Sequence, residues 1–361
     1  MIHFAPIPLN LKDRRILMRV DFNVPLKQGK VESDFRLLRT LPSIQQVSRK
    51  GGRIILMSHL EIDDRYYSLR GVGQFLKSKL KGFRFSSTVT GQKVKRMIDG
   101  MEPGDVLLLE DLRLEPGEKS NSPAFAKELA LLGDLYINEA FSVSHRRHTS
   151  IVGIPEYLPS FAGSLFRKEV KILSRAFKPP RPFLFILGGN KFATKAPFLE
   201  KFLKKADTVV IGGAMIAPIL LDRTSRIGRT SSKILMPRDV VVLRGKHKKT
   251  IPIEALEQSD LIYDLGPKSI ARIVSLAKKS RFILWNGPLG YLEGGFIHGT
   301  LSLARVLGSV SAEVIVGGGD TASFLDQQKL LDKFSFVSTA GGAMLDFLVE
   351  ETLPGIEVLE K

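Results

Sequence analysis

The sequence predicts an α/β protein whose parallel sheets are wrapped by helices on both faces, and three observations carry that expectation. Short apolar runs recur along the whole chain with helix-like stretches between them, the alternation of strand and crossover helix. In the last third, three such runs stop at glycine clusters beside a polar group: WNGPLGYLE (Trp285 to Glu293), VIVGGGDT (Val314 to Thr321) and FVSTAGGA (Phe336 to Ala343). A short apolar run that closes on glycine reads as a buried parallel strand whose carboxyl end opens into a loop and then a helix. Finally, 361 residues with 43% hydrophobic content suffice for one large core or two ordinary ones, and two domains are expected.

Taken in order, the first half places strands at Ile16 to Asn23, Arg53 to Leu60, Val106 to Leu112 and Leu135 to Phe141. The second half places them at Phe183 to Gly189, Thr208 to Gly213, Asp239 to Leu243, Leu261 to Gly266, Phe282 to Gly287, Val314 to Gly319 and Phe336 to Thr339. Between the two sets, Phe166 to Lys178 reads as a helix closed by PPRP at Pro179 to Pro182, which breaks the helix and starts an extended entry into the next strand. The expected division is an N-terminal lobe over residues 1–165, a linker helix and hinge over 166–182, and a C-terminal lobe over 183–349.

The strand ends of the two halves differ in chemistry. In an open α/β sheet the carboxyl ends of strands line the ligand crevice. The first half ends its strands in Asp21 and Asn23, His59, Arg113 and the segment NEAFSVSHRRHTS (Asn138 to Ser150), so that His59, Arg113, His145, Arg146 and Arg36 are candidates to converge on a small polyanion. The second half ends its strands in glycine, which lets backbone amides approach phosphate, and GGNKFATK (Gly188 to Lys195) adds two lysines four apart, on one face if a helix begins there. Asp320, after three glycines at a strand end, is placed to reach a metal bound to phosphate. Each element has a plainer reading: a lone arginine at a strand end is more often an ion-pair partner, His148 is structural or exposed, and glycine pairs serve as tight turns. The joint arrangement points to an acidic substrate on one lobe and a nucleotide on the other.

Other features bound the function. The net charge of +17 suits a nucleic acid, a membrane surface or a polyanionic substrate, yet lysines spread through stretches such as Lys77 to Lys81 read as solvated helix faces. No cysteine is present, which excludes disulfides, a thiol nucleophile and Cys-based metal sites. The N-terminal MIHFAPIPLNLKDRR lacks a basic segment followed by an apolar stretch, and the longest uncharged run, between Asp207 and Asp222, is too short to span a bilayer, so a soluble cytoplasmic protein is expected. Neither the P-loop pattern, the dinucleotide fingerprint nor protein-kinase motifs occur, leaving a phosphotransferase of another design.

At these residues the sequence resembles phosphoglycerate kinase. RVDFNVP (Arg19 to Pro25), LLLEDLRL (Leu107 to Leu114), NEAFSVSHRRHTS, GGNKFATK, DLGP (Asp264 to Pro267), WNGPLGYLE, GGGDT (Gly317 to Thr321) and STAGGA (Ser338 to Ala343) occur in that family's order, collinear from about Ile16 to the C-terminus. The resemblance implies two Rossmann-like lobes facing each other across a hinged cleft, with the tail over 350–361 packing back on the first. It implies 3-phosphoglycerate and 1,3-bisphosphoglycerate as substrates at Asp21, Asn23, Arg36, His59, Arg113 and Arg146. It also implies ADP or ATP at Lys191, Lys195, Asn286, Glu293, Gly318, Gly319, Asp320 and Thr321, with Glu293 on the ribose and Mg2+ on Asp320. Arg36, Lys191 and the amides of Gly341 and Gly342 would stabilise the phosphoryl group in flight. A monomer is implied, with no obligate protein partner, no membrane and no nucleic acid.

The chain departs from the family pattern at several points. Where the family commonly reads SHLGRP it has SHLEID (Ser58 to Asp63), so an expected substrate arginine is Ile62 and the carboxylates Glu61, Asp63 and Asp64 enter an anion site, with Arg65 as the expected replacement. GLD has become IYD (Ile262 to Asp264), GGGM has become GGAM (Gly212 to Met215), and STGGGA has become STAGGA through Ala340. The stretch from Met215 to Pro237 is shorter than usual. Two other readings stand beside the active enzyme: a catalytically weakened relative that keeps nucleotide binding, and a basic protein that contacts RNA or an anionic surface.

Overall fold

The structure is a computed structural model that describes residues 2–189, 192–216, 232–257 and 259–360; the side chains of 192–194 and 214 also lie outside the description. The chain forms two compact units, one running to Lys171 and taking up the chain again from Thr352, the other spanning Ile172–Glu351.

The first unit is built on a six-stranded sheet ordered Ser160–Ala162, Leu135–Asn138, Arg15–Arg19, Arg53–Met57, Val106–Leu108, Phe83–Phe85. Every pairing in it is parallel. Strands such as Arg53–Met57 and Leu135–Asn138 are apolar but for one terminal residue each, because both sheet faces are covered. The helix Phe35–Arg49 buries Leu37, Leu41, Ile44 and Val47, spaced to form one stripe against this core. From Arg15–Arg19 the chain moves first toward Arg53–Met57 and later returns on the other side at Leu135–Asn138, which opens a crevice at the carboxyl ends of those strands. The tail docks within this unit, where the Gly355 amide donates to the Ser144 carbonyl at 2.9 Å.

The second unit repeats the plan with strands ordered Ile234–Leu235, Thr208–Ile211, Phe183–Leu187, Phe282–Asn286, Glu313–Gly317, Phe336–Val337, again all parallel. Its switch point falls between Phe183–Leu187 and Phe282–Asn286, the strands that end in Gly188 and Gly287. Trp285 is fully buried there, and its indole N–H donates to the Gly287 carbonyl at 2.8 Å.

Two expected strands sit elsewhere. Asp239–Arg244 and Ile262–Leu265 do not join the parallel sheet; they pair antiparallel with each other and, through the first, with His247–Pro252. The third strand, HKKTIP, lacks an apolar run because it is an exposed edge, where lysines discourage further pairing. A two-residue turn with Gly245 at φ +64° joins it to its neighbour. Phe83–Phe85 and Ser160–Ala162, the outer strands of the first sheet, are also too short to announce themselves by periodicity. Among the described residues no helix is long and apolar enough to cross a membrane.

Candidate functional site

In the first unit, the carboxyl edge of the sheet gathers positive charge around a buried arginine. Arg19, the last residue of its strand, is wholly buried. Its Nε donates to Ser150 Oγ at 2.9 Å, one Nη to the Val20 carbonyl at 2.5 Å, and the other lies 3.2 Å from His59 Nδ1. Arginine only donates, so Nδ1 accepts and His59 is neutral with its proton on Nε2. Burial, followed by the charges of Arg19, Arg113 and Arg36, holds the His59 pKa well below its ordinary value. The chain of bonds continues from Ser150, whose Oγ and amide both donate to the buried Glu118 carboxylate, at 2.6 and 3.0 Å.

Asp21 organises the next layer. Its Oδ1 accepts from the Asn23 amide at 3.0 Å, and its Oδ2 accepts from Arg36 at 2.7 Å and from Ser142 Oγ at 2.6 Å. Asn23 Oδ1 in turn accepts from the Glu61 amide at 2.9 Å. Asp111 fixes two loops together, its Oδ2 accepting from the Leu60 amide at 2.9 Å and its Oδ1 from the Arg113 amide at 2.7 Å. Burial raises the Asp111 carboxyl to about 6. Arg113 forms an ion pair with Glu61, while its Nε is buried without a partner. Desolvation, then Arg19, lowers the Arg113 pKa to about 10. Arg146 is exposed, and its charge, after burial, helps push His145 down to about 4.

Asp21, Asn23, Arg36, His59, Arg113 and Arg146 are thus linked by bonds or by mutual charge. The ion-pair reading of the lone arginines also holds for two of them, since Arg36 meets Asp21 and Arg113 meets Glu61. Arg19, Ser142, Ser150 and Glu118 join the site through these bonds and are not among the candidates the sequence offers. Arg19 had a signal, a charge inside the apolar run ILMRV, but the serines and Glu118 had none. Arg65 is exposed and lies across the hairpin from Ile62, one register step from the Glu61 and Tyr66 pair. Directly paired residues project to one face, so Arg65 shares the side of Ile62, opposite that of Glu61, and stays a candidate to replace the arginine expected at Ile62.

In the second unit the glycine ends divide into two kinds. A Cβ on Gly287 would run into the Gly188 carbonyl, and one on Gly188 into that of Pro288, so these glycines let the two central strand ends close on each other. Gly319 and Gly341 differ: a Cβ on Gly319 would meet nothing within 4 Å, and one on Gly341 only the Gly319 amide nitrogen at 3.9 Å. These two open the helices Gly319–Gln327 and Gly342–Glu350, so two helix N-termini stand side by side over free space. Beside them lie two buried polar atoms without partners, Asn286 Nδ2 and Thr321 Oγ1. Both are within 4 Å of where a Gly318 Cβ would stand.

Lys195 Nζ donates to the Gly188 carbonyl at 2.6 Å, and burial lowers its pKa to about 8 against the opposing pull of Asp320. Asp320 is exposed in the first turn of its helix. A divalent cation carried by a polyphosphate needs only one or two protein carboxylates, and a single exposed Asp320 beside two helix N-termini fits that demand. Among the described residues no group of three metal-ligating side chains occurs, so a metal held by protein alone has no candidate. Glu293 is exposed on the loop after Asn286 and is not tied by a bond to the others. Lys191 lies outside the described residues. Ala340 is fully buried at a φ that is not positive, so its methyl group imposes no backbone strain, and its amide donates to Ser338 Oγ at 3.1 Å. Asp264 of IYD is buried and caps the helix His298–Leu307 by accepting from the Gly299 amide at 2.9 Å.

Known proteins resemble this chain over nearly its whole length. The family described as phosphoglycerate kinase matches over residues 8–232 and 225–351. The phosphoglycerate kinase of Coprothermobacter proteolyticus is 38% identical over 380 residues, covering 97% of this chain and 96% of that one. That of Thermus thermophilus is 36% identical over 388 residues, covering 98% and 99%. Among solved structures, phosphoglycerate kinase from Coxiella burnetii matches with a TM-score of 0.81 at 33% identity over 97% of both chains. The enzyme from Pyrococcus horikoshii matches with a TM-score of 0.88 at 25% identity, over 97% of this chain and 96% of that one. The chain belongs to the phosphoglycerate kinase family, a phosphotransferase with a carboxyl group as acceptor that interconverts 1,3-bisphosphoglycerate and ADP with 3-phosphoglycerate and ATP in glycolysis.

Proposed function

We propose that the first unit holds the acid substrate through Asp21, Asn23, Arg36, His59, Arg113 and Arg146, and that the second holds the nucleotide around Lys195, Asn286, Glu293, Gly318, Gly319, Asp320 and Thr321. The observation that carries this reading is the free space over Gly319 and Gly341, where two helix N-termini and the unpartnered Asn286 Nδ2 and Thr321 Oγ1 await an anion. In the direction that makes ATP, a β-phosphate oxygen of ADP forms a bond to the phosphorus of the acyl phosphate as the bond to the carboxyl oxygen breaks. The attacking oxygen is already ionised at neutral pH and the carboxyl oxygen leaves as a carboxylate that needs no proton, so no general base or acid is required and the protein supplies alignment and charge. Arg36, Lys191 and the amides of Gly341 and Gly342 stabilise the equatorial oxygens. Neutral His59, its Nδ1 engaged by Arg19, offers an Nε2–H to the substrate. Mg2+, held by Asp320, would neutralise phosphate charge when the nucleotide is bound. A cytoplasmic monomer that acts on small molecules, without a membrane, nucleic-acid or obligate protein partner, belongs to the same reading and rests on the family.

A coupled assay with ADP and 1,3-bisphosphoglycerate tests it. ATP formation should stop when Mg2+ is chelated, and Lys191→Ala should lower kcat far more than it weakens nucleotide binding. Equal losses in both would assign Lys191 to simple binding. A folded enzyme without turnover would favour the weakened relative.

A further inference from the structure

We propose that Glu61 competes with the acid substrate for Arg113 and thereby sets the affinity of this enzyme for phosphoglycerate. The inference rests on the assignment of Arg113 to that substrate. The Glu61 carboxylate pairs with an Arg113 Nη, and the two side chains are 27% and 10% exposed, so the pair lies in the site and Glu61 has solvent to retreat into. Both partners are anchored by their backbones. The Glu61 amide is held by Asn23 Oδ1, and the turn of its hairpin is fixed by Asp63 and Asp64 at φ +50° and +59°. Asp111 accepts from the amides of Leu60 and Arg113 together, which sets the two loops at one spacing. The ion pair is therefore a built contact, unlike one made by two free surface side chains.

Its chemistry matches that of the ligand. A carboxylate on a guanidinium presents the same charged oxygens as the carboxyl or phosphate of phosphoglycerate. The remaining charge around Arg113, from Arg19 and Arg146, is positive, and Glu118 and Asp21 oppose it from the same unit. Glu61 thus occupies the guanidinium until a substrate oxygen displaces it. Binding then exchanges one charge-assisted contact for another instead of gaining a new one, which lowers net affinity.

The test is a double-mutant cycle on the full-length protein, read by calorimetric titration of 3-phosphoglycerate. Glu61→Gln, which keeps shape and removes charge, should tighten binding about fivefold, in the range of a partly exposed ion pair. In the Arg113→Ala background the same substitution should change affinity by less than about 1.5-fold, because the contested guanidinium is gone. Nucleotide affinity should not move, and melting curves confirm that each variant is folded; Glu61→Ala is the second variant. No tightening by Glu61→Gln overturns the proposal. Equal tightening in both backgrounds overturns it too, since that signals loss of a general negative charge. If Arg113→Ala leaves affinity for 3-phosphoglycerate unchanged, the assignment of Arg113 itself fails, and the competition with it.

Discussion

His148 should make the protein more sensitive to acid than its glutamine variant. Burial and the charges of Arg113, Arg19, Arg146 and Lys119 hold its pKa at about 4, against 6.5 for an ordinary histidine. Glu118 opposes them from 3.9 Å at Nδ1, but its oxygens are already engaged by Ser150, and the four cations outweigh it. The sign follows from the lowered pKa. Above about pH 6.5 the ring is neutral in both states and contributes nothing; below it the unfolded chain takes up a proton that the folded protein refuses, so stability falls until about pH 4. At about pH 5, one and a half units below the unfolded value, the loss approaches roughly 2 kcal/mol, and partial contact with solvent reduces it to about 1 kcal/mol. The total pH profile does not isolate this effect, because burial raises Asp111 and Asp264 to about 6, and both gain stability as pH falls over the same range. The comparison that does is urea unfolding of the parent and His148→Gln at about pH 7.5 and about pH 5. The variant should lose about 1 kcal/mol less than the parent between the two conditions. Equal losses would mean that His148 is charged in the folded protein and that the cation cluster does not govern it.

Three further outcomes follow from the same geometry. Gly318→Ala places a side chain at φ +101°, which should cost about 1–3 kcal/mol in thermal or urea unfolding and weaken nucleotide binding by narrowing the space beside Asn286 and Thr321. Ala340→Gly should leave kcat within about twofold and lower stability by about 0.5–1 kcal/mol, because the alanine is unstrained and only the unfolded chain gains freedom; a large rise in kcat would show that the alanine impairs catalysis. Arg65→Ala should raise the KM for 3-phosphoglycerate about tenfold, since the hairpin sets Arg65 on the face of Ile62, where an arginine is expected; an unchanged KM would show that the enzyme binds its acid substrate with one arginine fewer.

The architecture was legible in sequence wherever a strand is buried on both faces. Phe183–Leu187 is apolar along its whole length and Phe282–Asn286 up to its last residue, and the sheet demands it. Legibility failed where the environment is one-sided. His247–Pro252 is an edge of lysines, and without it Asp239–Arg244 and Ile262–Leu265 read as members of a parallel sheet. In the candidate site, residue types at strand ends pointed to Asp21, His59 and Asp320, because loops at the carboxyl edge carry ligand chemistry. The bonds that set their states were not legible. Arg19 fixes the His59 tautomer from 40 positions away in sequence, and Glu118 reaches Ser150 across 32. The two roles of glycine also look alike in sequence: Gly287 clears a neighbouring backbone, whereas Gly319 leaves room for a ligand.

The division of labour between the units is tested most directly by crossed calorimetry on Arg146→Ala and Asp320→Asn. Both side chains are exposed, so neither change should disturb folding. Arg146→Ala should weaken 3-phosphoglycerate by about tenfold or more and leave Mg-ADP affinity unchanged, the loss expected of one charge-assisted contact. Asp320→Asn should weaken Mg-ADP and leave 3-phosphoglycerate unchanged, because only the nucleotide brings the metal. If either variant loses both ligands, or each loses the other's, the assignment of acid substrate to the first unit and nucleotide to the second is wrong.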